Sequence, residues 1–178
     1  MFDLKMFYKI LWVLRAIALR PFFGRIGKKS YIGKPLFLLG VKKAFLGNKV
    51  RIFPHSRIEV HESGVLRIEE NVSIGQSFHV ICSEKVTISS GSLLSANVFI
   101  TDTDHTFSDL SKPVHEQPNI TKETKIGKNC FIGYGVVIQA GTVLGDNCVV
   151  GANSTVKGHF GDGEIIVGSP GRVIKNRN

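Results

Sequence analysis

From Ile126 onward an aliphatic residue returns at every sixth position, as Ile126, Ile132, Ile138, Leu144, Val150 and Val156. The stretch reads "IGKNCF IGYGVV IQAGTV LGDNCV VGANST", with glycine or a polar residue after each aliphatic. Strand alternation has a period of two and a helix face recurs at about 3.6 residues, so a beat of six fits neither alone. Fixed self-similarity of this length is the signature of a β-helix, a solenoid of short strands joined by tight corners. One side chain per hexapeptide then points to the axis and the small residue two before it also packs inward. Glycine or asparagine makes the corner.

The beat extends upstream. Ile68, Ile74, Val80 and Val86 keep it, Ser92 lapses, and Val98 resumes it. Ile32, Val50, Ile68 and Val86 recur at a constant interval of three hexapeptides, and Ile126 and Leu144 share that interval. It predicts triangular coils, with residues one such interval apart stacked at the usual inter-strand distance of about 4.8 Å. Before Ile68 the pattern is ragged, and "HSRIEVHESGVLRI" reads as shifted or bulged turns. The end coils need caps. The expected organisation is an N-terminal helix over 1–31, a β-helix over 32–161 with an insertion at 104–125, and a capping segment over 162–178.

The first segment, "MFDLKMFYKILWVLRAIALRPFFGRIGKK", has a different pattern. At 100° per residue Lys5, Lys9 and Arg20 share one side of a helix, and Phe7, Ile10, Leu14, Ile17 and Ala18 lie on the other. Pro21 should end it. Its longest charge-free run, Ile10–Leu14, falls far short of the roughly 20 apolar residues of a membrane span. There is no small-residue cleavage site after an apolar core, so a signal peptide is not expected. Two readings stand side by side: a basic amphipathic helix lying in an anionic membrane surface, or a helix docked on its own domain with its cations in water.

Charge sharpens the contrast. Of the net +9, residues 1–31 carry +6, from seven basic residues against Asp3 alone. A basic segment on a nearly neutral body differs from a basic domain, and no aromatic platform motif accompanies it, so a nucleic-acid partner is not expected. The 43% hydrophobic content of these 178 residues suits one folded domain. Cys82, Cys130 and Cys148 form no CxxC or Cys/His cluster. That argues against a structural metal, and Cys130 and Cys148, each four residues after a repeat aliphatic, read as small core residues in a reducing, cytoplasmic setting.

Residues 104–125, "DHTFSDLSKPVHEQPNITKETK", break the repeat and carry no aliphatic period. An insertion of this length leaving a regular solenoid is more often functional than a failed coil. His105 stands where the chain leaves the rigid coil, with Asp102 and Asp104 beside it as groups able to orient its ring. A histidine so placed suits a general base near neutral pH. His61, His79 and Asn97 are spaced by the same three-hexapeptide interval and would form one column, either a binding ladder or, as favoured here, a polar edge.

These hexapeptides, the "TDTDHTF" entry to the insertion, "KPV" within it and the "GSPGRVIK" ending resemble the hexapeptide-repeat acyltransferases. The likeness is to the maltose/galactoside O-acetyltransferases and to the O-acetyltransferases of capsule and lipopolysaccharide synthesis, over roughly residues 68–175. It implies a left-handed parallel β-helix, a homotrimer with sites between subunits, acetyl-CoA as donor and a sugar hydroxyl as acceptor. His105 matches the base that takes the acceptor proton, and the backbone N–H of Tyr134 matches the oxyanion donor. Ser77, His79 and Asn97 are the acceptor-binding candidates. Phe131, Gly133, Gly151 and Ala152 match positions along the coenzyme arm, and Lys157, Arg172 and Lys175 match those that meet its phosphates. Two departures stand out. Ser77 replaces an acceptor-binding asparagine, and Thr103 replaces a second histidine common two residues before the base.

Other readings follow from the same residues. N-acetylation of an amino sugar would use the same base. A γ-class carbonic anhydrase shares the repeat but needs three histidines on one metal. A membrane-attached trimeric scaffold would keep the fold without turnover.

Overall fold

A computed structural model of the chain describes residues 4–61 and 63–177. Met1–Asp3 of the expected helix and Asn178 of the expected cap lie outside the described residues, as do the side chains of Leu4 and Lys5. Three parallel sheets wrap one axis. The first face runs through Arg25–Ile26, Ala44–Leu46, Val65–Ile68, Lys85–Ile88, Thr124–Ile126, Val143–Leu144 and His159–Phe160. The second runs from Tyr31–Ile32 to Glu164–Val167, and the third from Phe37–Leu39 to Thr155–Val156. Coils are therefore triangular, and the hexapeptide repeats fit a left-handed parallel β-helix. Arg172–Asn176 returns antiparallel to Glu164–Val167 and closes the second face at its far end.

Inward columns make the core. On the second face Ile32, Ile52, Ile74, Leu94, Ile132 and Val150 stack in register, and each is fully buried. Among the polar groups that enter this core, the buried Ser56 hydroxyl has no hydrogen-bond partner among the described residues, whereas Ser92 is bonded on both sides. Ser92 donates to the Gly127 carbonyl (2.8 Å) and accepts from the Cys130 N–H (3.0 Å). Burial pushes the Cys82 and Cys130 thiols up to about 12 and also raises Cys148, which leaves them as packing groups.

The uniform three-hexapeptide column does not hold upstream. Ile32 stacks on Ile52, two positions beyond that interval, and Ile52 stacks on Ile74, four positions beyond it. The exact interval applies only after the insertion, as in Ile126 on Leu144 and Ile132 on Val150. The surplus falls at one corner, where the third face turns into the first. There the inward positions run from Val80 to Ile88 and from Ile58 to Ile68, whereas Ile138 to Leu144 spans a single hexapeptide. The lapse at Ser92 is thus a phase shift of two. Val86 and Ile88 are both buried in a four-residue strand, and the beat resumes at Leu94 and Ile100.

The other corners are tight. Asn71, Asn129, Asn147, Asn97 and Asn153 all adopt left-handed backbone, with φ between +52° and +62°, a conformation asparagine tolerates better than most residues. Gly133 is required for a different reason. A Cβ there would come within 2.6 Å of the Ala152 nitrogen in the next coil.

The N-terminal helix, Leu4–Leu19, ends in a single 3₁₀ turn at Arg20–Phe22 containing Pro21. The first coil begins at Arg25, within the segment assigned to the helix from sequence. The helix docks through Ala16, which is buried, and through Trp12, whose ring packs against Tyr31 and Phe53 at centroid distances of 5.8 and 5.4 Å. Its outer side remains in solvent. No described helix is long and apolar enough to cross a membrane.

Candidate active site

The insertion leaves the prism at the same corner that carries the surplus upstream. Its neck is pinned by the Lys122 N–H donating to the Asp102 carbonyl (2.8 Å) and by the Thr124 hydroxyl donating to the Thr101 carbonyl (2.9 Å). Above the neck Thr103–His105 pairs antiparallel with Asn119–Thr121, so His105 faces Asn119 on a short hairpin. The tip is held by Gln117, whose side-chain amide donates to the carbonyls of Asp109 and Lys112.

His105 is exposed and stands between two cavities, lining both. The larger, about 600 Å³, lies over the third face and is lined among others by His61, Phe99, Asn119, Gln139 and Ala140. The smaller, about 320 Å³, lies on the other side of the hairpin against Phe107, Ile120, Lys122 and Lys157. An imidazole forming a wall common to two compartments can exchange a proton with a group in either.

The two acidic neighbours do not orient the ring as expected. Asp102 is fully buried and accepts from the N–H groups of Ser83 (2.8 Å) and Glu84 (2.9 Å) and from the Thr103 hydroxyl (2.9 Å). It ties the neck to the wide corner of the preceding coil. Asp104 accepts from the backbone N–H of His105 (3.1 Å) and forms an ion pair with Lys157 (3.2 Å). Lys157 therefore joins the His105 cluster, one of the basic positions matched to coenzyme phosphates.

The remaining site candidates fall into two other groups. Ser77, Asn97 and Tyr134 lie on the corner between the second and third faces, linked by N–H to carbonyl bonds from coil to coil. Ser77 and Asn97 are left-handed corner residues there, with φ +57° and +59°. The Asn97 side chain donates to the Tyr134 hydroxyl (2.6 Å). Gly133, Gly151 and Ala152 belong to the same corner, with Phe131 half-exposed on the adjoining second face. Gly151 is also needed for packing, since a Cβ would meet Val167 at 2.8 Å. Arg172 and Lys175 sit in the closing strand at the far end. Tyr134 and His105 thus occupy opposite edges of the third face, and Tyr134 lines neither cavity beside His105.

The expected column of His61, His79 and Asn97 does not form, because the coils there are longer than three hexapeptides. His79 faces Arg57 and Phe99 across the sheet, while Asn97 is a corner residue. His79 is bonded to Glu59 (3.1 Å), whose carboxyl is held below its usual range first by a hydrogen bond from Arg57. His61 does reach the larger cavity. Lys122, Asn119 and Gln139 were not singled out from sequence, because hairpin pairing and coil register, rather than any motif, bring them to His105. Among the described residues no three His, Cys, Asp or Glu side chains converge on one point that could hold a metal.

Fold and site together define a parallel β-solenoid with one histidine-bearing excursion. The chain belongs to the hexapeptide-repeat transferases: residues 123–158 match the family described as bacterial transferase hexapeptide (six repeats). Over 130 residues, 68% of the chain, it is 33% identical to WbbJ of Escherichia coli K12, an inferred lipopolysaccharide biosynthesis O-acetyl transferase. Over 132 residues, 74% of the chain, it is 33% identical to Rv3034c of Mycobacterium tuberculosis H37Rv, an inferred acetyltransferase. The alignments span 66% and 44% of those two proteins, respectively. Among solved structures the fold resembles AntD, an N-acyltransferase from Bacillus cereus in complex with dTDP and coenzyme A. The TM-score is 0.79 at 24% identity, covering 91% of this chain and 88% of that one. It also resembles a maltose O-acetyltransferase from Clostridium difficile 630, with a TM-score of 0.66 at 25% identity, covering 94% of this chain and 76% of that one.

Proposed function

We propose that the chain is an acetyl-CoA-dependent sugar O-acetyltransferase of surface-polysaccharide synthesis in which His105 is the general base. The observation that carries this reading is the position of His105 as a wall shared by two cavities, one of them flanked by Lys122 and Lys157. The imidazole takes the proton of an acceptor hydroxyl, and the oxygen attacks the thioester carbonyl. The tetrahedral oxyanion collapses with loss of the coenzyme thiolate, which recovers the proton from the imidazolium.

His105 and Tyr134 lie at opposite edges of the third face, too far apart to serve one reaction within a single chain. A homotrimer resolves this. The edge with Tyr134, Phe131, Gly133, Gly151 and Ala152 on one copy meets the His105 edge of the next. The Tyr134 N–H then serves the oxyanion, and Arg172 and Lys175 serve the coenzyme phosphates.

The test is to incubate the purified chain with acetyl-CoA and a panel of sugar nucleotides and lipid-linked glycans, then read the gain of one acetyl group by mass spectrometry. Turnover that is lost in His105→Asn supports the reading. Turnover equal to wild type in that variant removes His105 from the chemistry, and no turnover with any acceptor leaves the scaffold reading. Mild base separates the two acyl products: an ester is cleaved, whereas an amide survives and would assign the acceptor as an amino sugar.

A further inference from the structure

The charge asymmetry is larger than the helix alone. Between Leu4 and Ile58 there is no aspartate or glutamate. Residues 1–58 hold thirteen basic residues against Asp3 alone, a net +12, and residues 59–178 carry −3. This span is the helix and the first coils, so the positive charge gathers at one end of the prism. The helix that caps this end shows solvent a continuous apolar side. Met6, Phe7, Ile10, Leu14 and Ile17 are 48–57% exposed, although the same helix is docked through Trp12 and Ala16.

A cavity of about 480 Å³ opens between the helix and the first coils. Tyr8, Trp12 and Phe53 form its aromatic wall, and Arg15, Lys34 and His55 contribute its basic groups. An aromatic wall with convergent cations at the edge of an apolar helix face suits an anionic group carried on an apolar body.

We propose that this end of the solenoid seats on an anionic phospholipid surface. Phe7, Ile10, Leu14 and Ile17 enter the acyl boundary, and the cavity at Trp12 takes a lipid phosphate against Arg15 and Lys34. Charge decides between the occupants such a face could have. A second copy docked through it would set one +12 end against another, whereas an anionic bilayer is complementary and gains with each added cation. Seated this way, His105 stands three rungs, about 14 Å, beyond the first coil, with the acidic portion of the chain away from the membrane.

Trp12 is the sole tryptophan, so its fluorescence reports the site directly in the full chain. Vesicles of phosphatidylcholine containing phosphatidylglycerol should shift and saturate this signal, brominated acyl chains should quench it, and salt should weaken binding. Arg15→Ala with Lys34→Ala should weaken vesicle binding roughly five-fold per charge removed. Leu14→Glu with Ile17→Glu, both on the exposed side, should abolish binding while circular dichroism and thermal unfolding stay as in wild type. Short-chain phosphatidylglycerol below its micelle concentration should quench Trp12 where inorganic phosphate does not. Equal binding to neutral vesicles overturns the proposal, as does retention of binding in Leu14→Glu/Ile17→Glu. Loss of self-association in that variant without vesicle binding by wild type assigns the face to a second copy and also overturns it. None of these readouts depends on acetyl transfer.

Discussion

The coils before the insertion and those after it build the same prism by different means. From Thr124 to Val156 each turn advances by three hexapeptides with two- or three-residue strands and equivalent corners, and the last turn is two positions shorter, with Leu144 on Phe160 and Val150 on Ile166. Before Thr101 the turns run two to four positions longer, and four-residue strands such as Arg57–Val60 and His79–Cys82 widen the third face. The axis is indifferent to this, since the inward columns stay in register and are buried except at their ends, where Leu38 and Phe160 are only partly covered. The corner between the third and first faces absorbs every extra residue, and there the long excursion also departs. A solenoid tolerates insertion where the corner side chains face solvent and the flanking strands are already paired. The variable corner thus became the place where His105 is raised above an otherwise repetitive surface.

This contrast is open to direct attack. The largest effect should come from the excursion itself. His105→Ala should lower turnover by about 10² to 10⁴ without altering the unfolding transition, as acetyl-transfer kinetics and denaturation would show. Truncation in the prism should instead act on stability and act equally on both sides of the loop. Ile74→Ala and Ile138→Ala each empty a fully buried column position and should each cost about 2–5 kcal/mol in denaturant titrations. A much smaller cost in the wide coils would mean that they are packed differently.

The neck should respond on an intermediate scale. Asp102→Ala strands the Ser83 and Glu84 N–H groups that its carboxylate now satisfies, a loss of about 2–3 kcal/mol, and protease should then nick residues 104–121 faster than in wild type. Ser77→Gly should do the opposite. Ser77 holds φ +57°, so glycine relieves left-handed strain by about 1 kcal/mol. If its side chain also contacts the acceptor, KM will rise, and an unchanged KM removes it from the acceptor site.

The smallest effect is acid sensitivity in the wide coils. Glu59 has its carboxyl pKa lowered from 4.5, chiefly by Arg57 and then by His79. Its ionised form contributes stability that is fully present above 4.5 and is lost as pH falls through the folded-state value. Arg57→Ala should move the midpoint of acid unfolding upward, whereas Arg67→Ala, whose guanidinium lies over Phe45, should leave it in place.

Much of this architecture was legible in the chain. The six-residue beat from Ile126 to Val156 could be satisfied only by a triangular coil, and the break at Asp104 marked the excursion and its histidine. Register was not legible upstream, because Val86 and Ile88 are both apolar and both buried, and a run of such residues does not say which one holds the beat. The roles of Asp102 and Asp104 were equally hidden. Sequence adjacency placed both beside His105, and only the neck's geometry sent one carboxylate down to Ser83 and the other across to Lys157.

Periodicity was decided by sequence alone, since the axis of a solenoid admits one aliphatic per short strand and the corners admit asparagine or glycine. The tertiary structure decided which corner took up the surplus, which distant residues share the cavities at His105, and that the helix could be docked and exposed at once. These are matters of stacking between coils, and the chain separation of stacked partners varies widely, from Val149 on Ile165 to Leu94 on Ile132 across the whole excursion. Pairing at so variable a range leaves no periodic trace in the chain.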